Sequence, residues 1–228
     1  MPAPFEKVGL EGKVITITGG TGGIGSATSR LCAARGASVV IADLDEGKGS
    51  ELASQIRDAG GKAAFIRTDV TSEDDVRAMV ALAMDNFGGL HGAFNNAGVN
   101  TGNSLLVDLP LEQWQRGLAI NLTGIFLCMK HQIAHMQEHG GGAIVNTSSS
   151  AGAVGLPYSA DYVAAKHGVV GVTRAAAVEV SGKGIRVNTI HPDAVYDTAL
   201  WTPEVLEQRA KHYGLSVEEY KTKNILNV

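Results

Sequence analysis

The chain has 228 residues, 44% hydrophobic and 18% charged, which is ordinary globular usage and excludes an intrinsically disordered protein. Its 19 lysines and arginines against 23 aspartates and glutamates give a net charge of −4. Because no dense basic run is present, neither a nucleic acid nor an anionic membrane is an expected partner. Without a long apolar run or a signal-like N-terminus, we expect a cytoplasmic protein.

Short apolar runs alternate with helically spaced segments along most of the chain. Strands are predicted at residues 13–18, 38–42, 63–68, 90–94, 142–147 and 185–190. Helices are predicted at residues 26–35, 46–59, 72–87, 111–138 and 161–180. This alternation is typical of βαβ crossovers, which place helices on both faces of a parallel sheet. We therefore expect an α/β fold, a doubly wound parallel sheet in a single domain over residues 1–228.

The regular pattern stops after residue 192. Residues 192–203 are irregular, and residues 204–213 and 217–223 have the spacing of two short polar helices with no strand after them. Ligands of doubly wound sheets bind beyond the carboxyl ends of the strands. We expect residues 193–223 to form a small helical lid over a substrate site at that edge.

A glycine-rich turn joins the first predicted strand to the first predicted helix. It matches GxGxxG on Gly20, Gly22 and Gly25, and TGxxxGxG beginning at Thr18. With no side chains in the way, backbone N–H groups at a helix N-terminus can approach a pyrophosphate closely. A turn that serves only tight packing is the alternative. The expected dinucleotide contacts here are Gly19, Thr21, Gly22, Gly23, Ile24 and Gly25.

An acidic residue, Asp43, closes the second predicted strand 18 residues after Gly25. A carboxylate at this point can accept hydrogen bonds from an adenosine ribose and repels a 2′-phosphate, which favours NAD over NADP. Leu44 beside it is uncharged, so the local sequence offers no cation for a phosphate. Asp43 could instead be a turn or cap residue, and Asp45 could share its role.

Tyr162 and Lys166 stand four residues apart on a predicted helix and so project from one face. A nearby ammonium favours phenolate, so we expect Lys166 to lower the pKa of Tyr162 and make it a general acid and base. Such a pair can also be an ordinary solvated helix face. Ser149, one of three consecutive serines at the end of a predicted strand, precedes Tyr162 by 13 residues.

Several motifs together resemble those of the short-chain dehydrogenase/reductase family, which has a Rossmann fold. They are TGGTGGIG at 18–25, NNAG at 95–98, Asn121, NTSSSAG at 146–152, YVAAK at 162–166 and IRVNTIHP at 185–192. The resemblance implies that Ser149 binds the substrate oxygen, Tyr162 transfers its proton and Lys166 holds the nicotinamide ribose. It also implies that Asn121 anchors a water relay.

The resemblance further implies NAD as the cofactor, a small-molecule substrate and a homotetramer built on the helices at 111–138 and 161–180. Apart from the glycine-rich turn, the implied cofactor contacts are Asp43, Leu44, Asp69, Val70, Asn96, Ala97, Gly98, Tyr162, Lys166, Pro192 and Val195. Hydride transfer then makes the chain an NAD-dependent oxidoreductase of a secondary alcohol or ketone. Through its HPDAV segment at 191–195, the C-terminal part resembles that of sugar- and lactaldehyde-oxidising members, which favours a small polyol, sugar-derived or other hydroxy compound, while cyclic alcohols stay open. A 3-oxoacyl thioester reductase and a non-catalytic dinucleotide-binding or scaffolding protein are the alternatives.

Three departures from the family pattern stand out. Asp193 follows Pro192 where relatives carry glycine, and Asp197 occupies the position of a threonine, with Thr198 one residue later. Relatives also continue for some thirty residues through a last strand, so we expect either a trimmed sequence or a missing edge strand. No metal is expected.

The histidines of one predicted helix and the two cysteines are residue types that can bind a metal, and we discount both sets. The histidine row drifts around its helix without a carboxylate pair, and the two cysteines sit among apolar neighbours. The residues concerned are His131, His135, His139, Cys32 and Cys128.

Overall fold

The fold is a parallel sheet with helices on both faces, seen in a computed structural model that describes residues 9–196, 198 and 201–222. The strands are β1 Val14–Thr18, β2 Ser38–Asp43, β3 Lys62–Arg67, β4 Gly92–Asn95, β5 Gly142–Thr147 and β6 Ile185–Ile190. The helices are α1 Gly23–Ala34, α2 Glu46–Asp58, α3 Glu73–Phe87, α4 Leu111–Leu118, α5 Gly124–Glu138, α6 Ala160–Glu179, α7 Pro203–His212 and α8 Val217–Thr222. The predicted α/β architecture is confirmed.

The strand order fixes where a ligand can bind. The strands lie in the order β3-β2-β1-β4-β5-β6, and all neighbouring pairs are parallel. The chain first winds from β1 outward to β3 and then returns to pair β4 with the other side of β1. A crevice forms beyond the carboxyl ends of the strands at such a reversal, so β1 and β4 mark the site.

Two apolar clusters hold the helices against the sheet. Because successive side chains of a strand point to opposite faces, Val39 and Ile41 of β2 pack beneath α1 and α2. Val40 and Ala42 belong to the larger cluster beneath α3, α5 and α6. The strands are therefore apolar on both faces, which explains why they read as continuous apolar runs.

Two predicted helices differ from the observed ones. α1 begins at Gly23 instead of residue 26, because glycines that look like loop residues form its first turn. The helix predicted at 111–138 is divided into α4, a π-helical turn at Ala119–Thr123, and α5. Apolar spacing does not reveal one inserted residue, and such turns occur frequently at functional sites.

The C-terminal segment, residues 192–222, contains the two short helices that the sequence predicts. α7 and α8 pack on each other through a small cluster of Leu206, Ala210 and Tyr220, separate from the two sheet clusters. Lys223, the last residue of the second predicted helix, lies outside the described residues. Within the described residues, no strand follows β6.

Candidate functional site

A groove runs along the carboxyl ends of β1, β2, β3 and β4. The predicted cofactor contacts that line it are Gly19, Thr21, Gly22, Gly23, Ile24, Asp43, Leu44, Asp69, Val70, Asn96, Ala97 and Gly98. Gly25 does not line the groove. A Cβ there would lie 2.0 Å from the carbonyl oxygen of Gly19, so Gly25 allows the start of α1 to pack on the glycine-rich turn.

Hydrogen bonds join the glycine-rich turn to the end of β4. The Thr18 hydroxyl accepts hydrogen bonds from the backbone N–H groups of Asn96 at 3.0 Å and Ala97 at 3.1 Å. The Asn96 side chain donates to the carbonyl oxygen of Gly19 at 3.2 Å. Gly19 has φ +61°, and a Cβ there would lie 2.8 Å from the Cα of Ala97. Only glycine fits this close approach, which fixes the floor of the groove.

The residues of the groove fit a nicotinamide dinucleotide. α1 begins after Gly22 with no side-chain cap, and its first turn carries no acidic residue. Its first N–H groups therefore have no side-chain acceptor, and the helix dipole adds a partial positive charge. A diphosphate would satisfy these donors without meeting a side chain at Gly22 or Gly23.

Asp43 lies beside the groove at the end of β2. Its carboxylate accepts hydrogen bonds from the backbone N–H groups of Thr21 at 2.9 Å and Leu44 at 2.8 Å. It forms no ion pair with a described residue. Asp45 does not line the groove; it caps α2 and pairs with Lys48. The negative charge that faces the groove at this point thus belongs to Asp43.

Asp69 and Val70 follow β3 at the far end of the groove. Hydrogen bonds from the backbone and side chain of Thr71 to Asp69, at 2.9 and 2.7 Å, hold its pKa below the ordinary value. Val70 packs against Gly124 at the start of α5, where a Cβ would lie 2.7 Å from the Val70 side chain. Both residues are thus held in place by local contacts.

A second cleft adjoins the groove and contains the predicted catalytic residues. The predicted residues that line it are Asn121, Ser149, Tyr162, Lys166, Pro192 and Val195. Asn96, Gly98 and Thr198 are among the residues that line both spaces. The two cavities therefore adjoin and share part of their walls, so a ligand in the groove lies next to the second cleft.

Burial controls the protonation of Tyr162 and Lys166, which α6 places on one face. The ammonium group of Lys166 lies 5.5 Å from the centre of the Tyr162 ring and donates to the carbonyl oxygen of Thr147 at 2.8 Å. Burial lowers the pKa of Lys166 to about 8. Burial also raises the pKa of Tyr162, against the opposing effects of the Ser149 hydroxyl and the Arg209 guanidinium. The expectation of a lowered tyrosine pKa is wrong for this cleft, because burial outweighs nearby charge.

The π-helical turn presents Asn121 to the cleft. Its side-chain oxygen accepts a hydrogen bond from the backbone N–H of Val99 at 2.9 Å, and its amide donates to the Val99 carbonyl at 3.0 Å. A Cβ at Gly98 would lie 2.8 Å from the Asn121 oxygen and 3.6 Å from the Lys166 nitrogen. Gly98 therefore lets these two polar side chains come close together.

The three consecutive serines have different contacts. Ser148 donates to the carbonyl oxygen of Lys166 at 2.9 Å and is fully buried. Ser150 donates to the carboxylate of Asp193 at 2.9 Å, which ties β5 to the C-terminal segment. Ser149 accepts from the backbone N–H of Ala151 at 3.2 Å and lines the cleft beside Tyr162. Asp193, the departure from the family pattern, thus has a structural partner.

The C-terminal segment contributes residues that the sequence analysis missed. Arg209 of α7, Tyr213 directly after that helix and Tyr220 of α8 line the second cleft, beside Trp201. Nothing in their local sequence distinguishes them from the solvated face of a polar helix. The Thr198 hydroxyl donates to the carbonyl oxygen of Val195 at 2.9 Å. Asp197 lies outside the described residues.

The described residues offer no metal site. No group of three or more histidine, cysteine, aspartate or glutamate side chains is arranged to hold an ion. His131 contacts Glu73 at 2.9 Å, while His135 and His139 stack at 4.0 Å. Across that same part of the chain, no helix is both long enough and apolar enough to cross a membrane.

Comparisons with known proteins agree with this geometry. The family model described as short chain dehydrogenase matches residues 13–209. The chain is 46% identical to a 2,5-dichloro-2,5-cyclohexadiene-1,4-diol dehydrogenase of Sphingobium indicum, covering 92% of this chain and 81% of the relative. It is 48% identical to a cis-4-hydroxycyclohexanecarboxylate dehydrogenase of Sinomonas cyclohexanicum, covering 79% of this chain and 72% of the relative.

A solved structure extends the similarity to three dimensions. The crystal structure of a levodione reductase superposes with a TM-score of 0.82 at 33% identity, covering 92% of this chain and 80% of that one. The family model covers all six strands. The chain belongs to the short-chain dehydrogenase family.

Proposed function

We propose that the chain is an NAD-dependent oxidoreductase that interconverts a cyclic secondary alcohol and its ketone. One observation carries the proposal: Ser149, Tyr162, Lys166 and Asn121 line one cleft, and that cleft adjoins a groove lined by the predicted dinucleotide contacts. A scaffolding protein would not need this convergence. The names of the two relatives favour a ring alcohol over a polyol, a sugar derivative or an acyl thioester.

In the proposed mechanism, Ser149 donates a hydrogen bond to the substrate oxygen and so positions the carbinol next to Tyr162. A dinucleotide held by the residues of the groove would supply the hydride acceptor for the carbinol carbon. The phenolate of Tyr162 takes the hydroxyl proton, and in the reverse direction the phenol returns it. Lys166, 5.5 Å from the Tyr162 ring, would hold the nicotinamide ribose, and the hydrogen bond of the Ser149 hydroxyl opposes the effect of burial on the phenolate.

Asn121 and Lys166 also support a path for the proton. Both lie beside Gly98 at the boundary between groove and cleft. The Asn121 side chain uses one donor and one acceptor on the backbone of Val99, which holds its orientation. We propose that it anchors water between Lys166 and solvent, so that Tyr162 exchanges its proton without opening the cleft.

The preference for NAD is proposed from Asp43. An adenosine 2′-phosphate in the groove would meet this carboxylate, which has no ion-pair partner among the described residues. A ribose hydroxyl would instead donate to it, since a carboxylate that accepts from the Thr21 amide on one oxygen and from the Leu44 and Asp45 amides on the other has acceptor capacity left. NADP would therefore bind more weakly than NAD.

We also propose a cytoplasmic homotetramer of single-domain subunits. Leu111, Phe126 and Val178 are exposed by 68%, 45% and 77%, and they lie on α4, α5 and α6. These are the helices on which the family resemblance implies assembly. Light scattering on the purified protein tests the subunit number, and a monomer would contradict the proposal.

Dinucleotide titration and an absorbance assay test the activity. Calorimetry should show tighter binding of NAD than of NADP to the purified chain. Oxidation of cyclohexanol and of ring diols should then produce reduced nicotinamide, with acyclic polyols as matched negative substrates. Failure of both dinucleotides to bind would overturn the proposal, and binding without turnover of any alcohol would favour the scaffolding alternative.

A further inference from the structure

Arg209 is a buried cation in the wall of the second cleft. It lies on α7, only 8% of its surface is exposed, and it lines the cleft with Ser149 and Tyr162. Arginine is almost never buried to this degree unless a carboxylate or another anion compensates its charge. The mechanism proposed above does not use it.

The partners of Arg209 within the protein are few. One guanidinium nitrogen donates to the hydroxyl of Ser159 at 2.9 Å. No carboxylate among the described residues lies within ion-pair distance. Asp193 lines the same cleft but accepts the hydrogen bond of Ser150. Because a guanidinium carries five N–H donors in a planar fork, most of its capacity stays available.

The charge of Arg209 is felt at the reaction centre. The guanidinium acts to lower the pKa of Tyr162, and it has the same effect on Tyr220 of α8, which packs against α7. Because Arg209 and Tyr162 line the same cleft, a small substrate bound there can contact both side chains. Leu156, Val195 and Trp201 add apolar surface to the cleft wall, which suits a hydrocarbon ring.

We infer that Arg209 binds a carboxylate of the substrate, so that the substrate class is a cyclic hydroxy acid, oxidised to the corresponding oxo acid. The inference rests on the proposed function, because it names the substrate of that same cleft. The hydroxyl lies at Ser149 and Tyr162, the ring contacts the apolar wall, and the carboxylate pairs with the guanidinium fork. The name of the Sinomonas relative includes a compound of this class.

The redox step is balanced without a further reactant. The carbinol C–H bond breaks, and its electron pair leaves as hydride to NAD. The O–H bond breaks as Tyr162 takes the proton, and the C=O bond forms. The carboxylate keeps its charge throughout, so its pairing with Arg209 orients the ring in both directions of the reaction.

A simpler role for Arg209 is to hold α7 against the start of α6 through Ser159. The two roles predict different results for Ser159→Ala, which removes the hydrogen bond and retains the guanidinium. If Arg209 served only as a clamp, Ser159→Ala would reproduce the effects of Arg209→Met on every substrate. Under our inference its effect is smaller and falls on acid and neutral alcohol alike.

The decisive experiment compares cis-4-hydroxycyclohexanecarboxylate with cyclohexanol as substrates. Wild type should have the higher kcat/KM for the acid. Arg209→Met should lower kcat/KM for the acid by about a hundredfold, chiefly through KM. For cyclohexanol the loss should be much smaller and confined to kcat, because the guanidinium also acts on the pKa of Tyr162. Arg209→Lys keeps the charge without the planar fork of donors. Its kcat/KM for the acid should lie between the values of wild type and Arg209→Met. An equal loss on both substrates would overturn the inference.

Calorimetry provides a readout that does not depend on turnover. Cyclohexanecarboxylate has no hydroxyl to oxidise, and it should bind wild type but not Arg209→Met. If wild type oxidises cyclohexanol with no preference for the acid and does not bind this carboxylate, the inference is wrong while the proposed function stands. If neither alcohol is oxidised, the proposed function fails, and the binding comparison still decides the role of Arg209.

Discussion

The groove and the C-terminal segment are built in different ways. The groove is made largely of backbone: Gly19, the start of α1 and the end of β4 are joined by hydrogen bonds, and the two sheet clusters support it. The C-terminal segment rests on a small separate cluster and contributes long side chains such as Arg209 and Tyr220 to the second cleft. Dinucleotide binding therefore depends on chain geometry, whereas substrate choice depends on side chains brought together by tertiary packing.

The largest effect is expected at Tyr162, where the two regions meet. Tyr162→Phe removes the proton acceptor but keeps the ring, so turnover should fall by about 10³-fold while NAD affinity changes little. Tyr158→Phe is the control, because Tyr158 stacks on His212 and does not line the cleft. Nicotinamide absorbance and calorimetry measure the two quantities. Full activity in Tyr162→Phe would remove the phenol from the mechanism.

Gly25 tests whether groove geometry and fold stability are coupled. Gly25→Ala puts a methyl group 2.0 Å from the Gly19 carbonyl, so we expect a loss of about 3 kcal/mol in the free energy of unfolding and much weaker NAD binding. Gly171→Ala on α6 meets no atom within 4 Å and should be neutral or slightly stabilising. Denaturant unfolding measures the free energy of unfolding, and calorimetry measures the affinity for NAD. Normal NAD affinity in Gly25→Ala would argue against a backbone-defined groove.

Leu206 tests the C-terminal segment. Leu206→Ala opens a cavity in the small cluster beneath α7, at a cost of about 2 to 3 kcal/mol to the packing of that segment. We expect KM for the alcohol to rise while NAD affinity stays within about twofold, because the groove does not depend on this cluster. Leu31→Ala, on the exposed side of α1, is the control. An equal loss of NAD and alcohol binding would show that the two regions are not separable.

The sequence predicts the groove better than the wall of the second cleft, because the groove is made of backbone and the wall of side chains brought together by tertiary packing. A glycine run between a strand and a helix, and Asp43 at a strand end, are local signals whose geometry follows from short stretches of chain. Arg209 faces the cleft only because α7 folds back onto α6, and no local pattern encodes that contact. The pKa of Tyr162 could not be read from its spacing to Lys166, because burial is a property of the whole fold.

Asp43 offers a smaller test, of cofactor choice. Asp43→Asn keeps an acceptor for the Thr21 amide but removes the charge, so the preference for NAD over NADP should decrease by about tenfold. Asp45→Asn is a matched control, because Asp45 caps α2 outside the groove. Titration of both dinucleotides into both variants measures the ratio. An unchanged preference in Asp43→Asn would place the selectivity elsewhere.

Lys166 gives a pH-dependent effect on stability whose sign is specific. Burial lowers its pKa from 10.5 to about 8, so the folded protein binds fewer protons than the unfolded chain between these values. The contribution of Lys166 to the free energy of unfolding is therefore lowest below pH 8 and rises as pH increases towards 10.5. Wild type should gain stability relative to Lys166→Met when urea unfolding is repeated from about pH 7 to about pH 10. If the free energies of unfolding of wild type and Lys166→Met changed in parallel with pH, the Lys166 ammonium would be solvated. The boundary between groove and cleft would then contain more water than its packing indicates.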